Sequence, residues 1–127
     1  MNPQDRTLCD VVAELARSGE RVALLATSMR VIGFNAESGI AIEERVSARE
    51  PVLDLAVGAN AGAALTSRRL LGLSLNASRL IEEKISLNEP VESLDAGANI
   101  ITATTPRRLL IFRATGSSWE ERPRRLR

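Results

Sequence analysis

Residues 58–75 read GANAGAALTSRRLLGLSL, and residues 97–114 read GANIITATTPRRLLIFRA. At an offset of 39, with no gap, nine of these eighteen positions are identical. The offset extends backwards along the chain. Gly19, Gly58 and Gly97 align, as do Thr27, Thr66 and Thr105, and Arg30, Arg69 and Arg108, each arginine followed by Val31, Leu70 or Leu109. Glu50-Pro51-Val52 returns as Glu89-Pro90-Val91. The pair Glu43-Glu44 returns as Glu82-Glu83 and, with one residue deleted, as Glu120-Glu121. Self-similarity at such a period marks an array of supersecondary units, none of which buries its apolar surface alone. The chain therefore divides into three copies, about 10–49, 50–88 and 89–127, within a single domain.

Each copy reads as four short strands. In the second copy these are VLDLAV (52–57), AGAALT (61–66), RLLGLSL (69–75) and LIEEKIS (80–86). Loops of a few residues between them predict antiparallel hairpins. The two middle strands are apolar at successive positions, as in VALLAT, AGAALT and NIITAT, which is the pattern of a strand covered on both faces. The fourth strand alternates in part, as an edge facing water does. Residues 7–18 admit two readings, a capped helix or a first strand. An offset of 40, matching Val12 and Leu15 to Val52 and Leu55, favours the strand.

Two all-β architectures use repeats of this size. Propeller blades stack face to face around an axis, typically four to eight of them. The β-trefoil closes with three repeats in one chain. Covered faces and small residues such as Ala61, Gly62, Ala63, Ala64 and Gly72 favour blades. With two Phe and one Trp the chain is short of the large side chains that fill a trefoil barrel. The T-x-x-R turns at 27–30, 66–69 and 105–108, together with LLIFRATGSSWEE (109–121), resemble short-blade bacterial β-propeller proteins. The resemblance implies fold rather than activity. Three blades do not close a ring, so this reading expects half of a six-bladed propeller completed by a second copy about a two-fold axis. The trefoil expects a monomer that binds a carbohydrate-type ligand.

Composition narrows the chemistry. The 127 residues carry 17 basic and 16 acidic side chains, no histidine and no tyrosine. Histidine-based triads and metal sites are excluded, and no glycine-rich phosphate loop or G-x-S-x-G elbow occurs. Neither a cofactor nor a metal is expected. The single cysteine, Cys9, allows no intrachain disulfide and reads as a small apolar residue. No leader-like apolar run opens the sequence, and no stretch is long enough to span a bilayer, so a cytoplasmic location is expected.

The candidate binding residues are the repeat arginines Arg30, Arg69 and Arg108, their neighbours Arg68 and Arg107, and the lone indole of Trp119. Arginines on one rim suit an anion or an acidic protein by bidentate contact. The competing reading pairs them with Glu43, Glu82 and Glu120, because packing constraints recur in every repeat whereas sites seldom do. Residues 113–127 hold five arginines against two glutamates. The shortage of aromatic platforms argues against nucleic acid. Trp119, aligned with Ile42 and Ile81 if a residue is deleted, reads as core filling or an interface anchor. A hydrolase or lyase would need carboxylates such as Asp54 and Asp95 to converge from different repeats. The function expected is a non-enzymatic scaffold that dimerises and presents a rim or central channel to a protein or anionic partner.

Overall fold

The computed structural model describes residues 15–124 except 77 and 87. Among the described residues, twelve strands form three separate four-stranded antiparallel sheets. The first holds β1 (Leu15–Ser18), β2 (Val22–Ala26), β3 (Arg30–Asn35) and β4 (Ile40–Arg45). The second holds β5 (Val52–Val57), β6 (Gly62–Thr66), β7 (Arg69–Leu73) and β8 (Ile81–Lys84). The third holds β9 (Ser93–Ala96), β10 (Ile100–Thr104), β11 (Arg108–Arg113) and β12 (Glu120–Pro123). In each sheet the strands lie in sequence order, so every connection is a hairpin. The sheets pack face to face and approach most closely along their first strands, β1 to β5 and β5 to β9. This is the arrangement of propeller blades. The β-trefoil is not the fold, because the described strands fall into three separate sheets and none of them is shared between two sheets.

Two apolar layers hold the blades together. Val22, Leu24, Ala26 and Val31 of the first blade meet Ala64, Leu71, Leu73 and Leu80 of the second. Ala63, Leu65 and Leu70, on the second blade's other face, meet Ile101, Leu110, Phe112 and Trp119 of the third. The middle strands of the second blade are therefore covered on both sides and run buried almost without interruption. In β2 and β10 burial instead alternates, because each of those blades has a neighbour on one face only.

A large side chain fills a glycine gap at each junction. Leu73 packs on Gly33, and the Phe112 ring packs on Gly72, 2.8 Å from where a Cβ would stand. Leu73 and Phe112 are repeat equivalents, as are Gly33 and Gly72. The turns between first and second strands also touch through their backbones. A Cβ on Gly58 would lie 1.8 Å from the Gly97 carbonyl oxygen, and one on Gly19 would lie 1.9 Å from that of Gly58. Only glycine permits so close an approach. Beside it, the Arg21 N–H donates to the Ala59 carbonyl at 2.9 Å, and the Asn60 N–H donates to that of Ala98 at 2.8 Å.

Strand register corrects three sequence alignments. Leu71 pairs with Glu82 and Leu110 with Glu121, so the fourth strands keep the 39-residue offset with no deletion. Trp119 is thus the equivalent of Leu80, not of Ile42 and Ile81. Ala16 pairs with Leu25 just as Leu55 pairs with Ala64, so the offset is 39 in β1 as well, not 40. Leu15–Ser18 is a strand, while positions 7–14 of the alternative helix, and Cys9, lie outside the described residues.

Candidate functional site

The T-x-x-R turn explains itself in hydrogen bonds. Thr66 begins a tight hairpin in which its own N–H and the arginine carbonyl close the turn in the equivalent copies, at 2.9 Å for Thr27 and for Thr105. The Thr66 hydroxyl oxygen accepts from the N–H groups of Arg68 and Arg69 at 3.1 and 3.0 Å. It donates to Glu50 Oε2 at 2.7 Å. Thr105 repeats this with the N–H groups of Arg107 and Arg108 and with Glu89. The threonine therefore caps its turn and orients a buried carboxylate at once.

That carboxylate faces the repeat arginine. Arg69 Nε donates to Glu50 at 2.6 Å and Nη1 to Glu44 of the preceding blade at 3.1 Å, while Glu82 of its own blade lies 3.5 Å away. Arg69 Nη2 also donates to the Arg45 carbonyl. Arg108 makes the same set with Glu89, Glu83, Glu121 and the Lys84 carbonyl. Each arginine clamps two blades and the linker between them. The side chains of Arg108 and Glu89 are only 15% and 6% exposed. Hydrogen bonds from Arg108 hold the Glu89 carboxyl below its ordinary value against the burial that raises it. Burial pushes Glu50 up, but the hydrogen bonds from Arg69 and Thr66 outweigh it and hold that carboxyl below its ordinary value too. Arg108 is raised, first by its hydrogen bond to Glu89.

Arg30 stands apart. Among the described residues its partner is Glu43, at 2.8 Å, and the two side chains are 39% and 54% exposed. In the third blade, Glu121 rather than Glu120 occupies the bridging position, and Glu120 instead pairs with Arg113 on the surface. Arg68 and Arg107 are exposed, and among the described residues neither has a carboxylate partner. Arg68 borders an open cleft of about 890 Å³ shared with Arg49, Lys84 and Ser86. Trp119 is buried. Its Nε1 donates to the Ile81 carbonyl at 2.9 Å, and its ring lies 5.0 Å from that of Phe112. It packs between the second and third blades.

The Asp54 carboxylate accepts from the N–H of the adjacent Leu55. Among the described residues no group of three His, Cys, Asp or Glu side chains is set to hold a metal ion. Among the described residues no helix is long and apolar enough to cross a membrane.

Sequence reading expects an unclosed three-blade stack to leave two apolar end faces, and what it misses is which residues line them. On the first blade, the face turned away from the second carries Phe34, 41% exposed. Its equivalents Leu73 and Phe112 are both fully buried. On the third blade the outward face carries Ile100, Leu109 and Ile111, all half-buried. The repeat itself held the signal, since the end copies bear the same apolar positions as the middle one.

No family model matches the chain, and no curated protein matches it. Solved structures do. Human WBSCR16 is similar over 86% of this chain and 37% of its own, with a TM-score of 0.55 at 11% identity. Hsv2 from Kluyveromyces lactis is similar over 89% and 46%, with a TM-score of 0.52 at 10% identity. The chain spans less than half the length of either protein. Hsv2 is a propeller-domain protein, and the likeness identifies this chain's fold as a set of propeller blades.

Proposed function

We propose that this chain is a non-enzymatic binding module, a segment of propeller whose ring is completed by further blades and whose rim is offered to a partner. The observation that carries the proposal is the pair of uncovered end faces. Phe34 is 41% exposed where its two equivalents are fully buried. Apolar area left in water costs about 25 cal/mol per Å², so a sheet face built like a junction favours another blade. Two kinds of blade would complete the ring: those of a second copy joined head to tail, six blades about a two-fold axis, or those of another sequence.

The rim reading shifts from the repeat arginines to their neighbours. Arg69 and Arg108 are engaged by carboxylates on several sides. Arg68 and Arg107 remain for an anionic or acidic partner, and the cleft beside Arg68 adds Arg49 and Lys84. Four cations spread over a rim suit an acidic protein surface better than nucleic acid, because stacking aromatics are lacking.

Light scattering after size exclusion, paired with binding of an apolar dye such as ANS, tests the completion. A mass of twice 13.8 kDa supports closure by a second copy. A 13.8 kDa species that binds the dye supports faces awaiting other blades. A monomer that binds no dye has no uncovered face and overturns the proposal.

A further inference from the structure

Both internal junctions obey one set of rules. The blade that follows supplies a large residue at one position, Leu73 or Phe112, and the blade that precedes it supplies glycine, Gly33 or Gly72. The following blade adds a second large residue, Leu80 or Trp119. Its arginine, Arg69 or Arg108, reaches a glutamate on the preceding blade's fourth strand, Glu44 or Glu83.

The two end faces break these rules when set against each other. In a head-to-tail ring of two copies, Phe34 would meet the equivalent of Gly33 and Gly72, which in the third blade is Ile111. The second large residue becomes Ala41, which pairs with Phe34 on β4. Arg30 would meet the equivalent of Glu44 and Glu83, which is Arg122, paired across the sheet with Leu109 as Glu83 is with Leu70. Each substitution opposes closure. Ile111 fills the place where a gap is needed, a methyl stands where a large side chain is needed, and two cations replace an ion pair.

Resting on the reading that the end faces await further blades, we infer that the partner is a blade of different sequence, not a second copy of this chain. The occupant of the first face is a four-stranded blade with glycine opposite Phe34 and a carboxylate on its fourth strand beside Arg30. The occupant of the last face carries an acidic side chain opposite Arg122 and a small residue opposite Ile111. A cation on each end face, Arg30 on the first and Arg122 on the last, repels a second copy and selects an acidic partner.

The test restores the internal rules at the end. Ile111→Gly with Arg122→Glu converts the last face to the internal type. By light scattering the wild-type chain is expected at 13.8 kDa. The double variant is expected to self-associate more tightly, on the order of tenfold or more, with a mass of twice that value. Arg122→Glu alone alters one exposed side chain, so it keeps the experiment readable if glycine at 111 loosens β11. It is expected to move in the same direction by a smaller factor, and Arg122→Gln by less again. A wild-type dimer in which Phe34 is shielded overturns the inference while leaving the ring-completion reading intact. A double variant that is folded by circular dichroism, binds the apolar dye and stays monomeric also overturns it. A wild-type chain that binds no dye instead removes the reading on which the inference rests.

Discussion

Arg108 and Arg30 hold the same place in the repeat, yet their surroundings set opposite expectations. Truncating Arg108 would leave Glu89, 6% exposed, as a buried carboxylate without its ion-pair partner. Breaking such a pair from one side is costly, so Arg108→Ala is expected to lower stability by about 3 kcal/mol in urea unfolding. Arg30 and Glu43 are largely exposed. Arg30→Ala is expected to cost below about 1 kcal/mol, and a loss equal to that of Arg108→Ala would disprove the difference in brace strength. The same braces set the response to acid. Glu50 and Glu89 are held below the ordinary value of 4.5 in the folded chain. The unfolded chain takes up protons first, so the stability they contribute is present above 4.5 and lost as pH falls through the lowered folded values. The urea midpoint is therefore expected to hold steady from neutrality down to about pH 5 and to drop below the ordinary glutamate range. In Glu89→Gln, which has no carboxyl to titrate there, the drop should be shallower.

Two strands meeting across a junction depend on what their neighbours omit. A Cβ at Gly72 would stand 2.8 Å from three carbons of the Phe112 ring. Gly72→Ala is expected to cost about 1–3 kcal/mol by overpacking, and Phe112→Leu in the same chain should recover part of it, as a double-mutant cycle would reveal. Gly58→Ala should be worse, since the obstacle is the Gly97 carbonyl, backbone that no rotamer change can move. The strands themselves were legible: VLDLAV at 52–57 is β5 to the residue, and the fourth strand, read at 80–86, forms as Ile81–Lys84. The T-x-x-R signature marked the arginines that brace the junctions, and their pairing with glutamate was foreseeable from its recurrence. The choice between Glu120 and Glu121 was not. Adjacent carboxylates look alike in sequence, but a slip of one residue turns every side chain of a strand to the opposite face. Only the pairing of Leu110 with Glu121 fixes which carboxylate reaches Arg108. Trp119 was misaligned for the same reason, and the glycine gap under Phe112 leaves no trace in local pattern because its two halves lie 40 residues apart.

In a stack, stability is approximately a sum of units and the interfaces between neighbours. The second blade owns two interfaces and the others one each, so the molecule should be unevenly stable even though its three sequences are alike. β6 is buried at all five positions, and β7 at four of five. In β2 and β10, alternate positions are only partly covered. Native-state hydrogen exchange reads such differences as opening free energies for separate regions. The amides of β6 and β7 are expected to exchange slowest, those of β2, β3, β10 and β11 faster, and those of the edge strand β4 fastest. Partner blades on the end faces should remove the gradient, because the first and third blades would then gain the second interface they lack. Uniform exchange across β2, β6 and β10 in the isolated chain would mean that the three sheets open as one unit, and would show that the outer faces contribute no differential stability. A gradient that flattens in the Ile111→Gly, Arg122→Glu variant as its mass doubles would tie local protection to ring closure directly. The first blade's Phe34 and the third blade's Ile111 would be shielded in the same step.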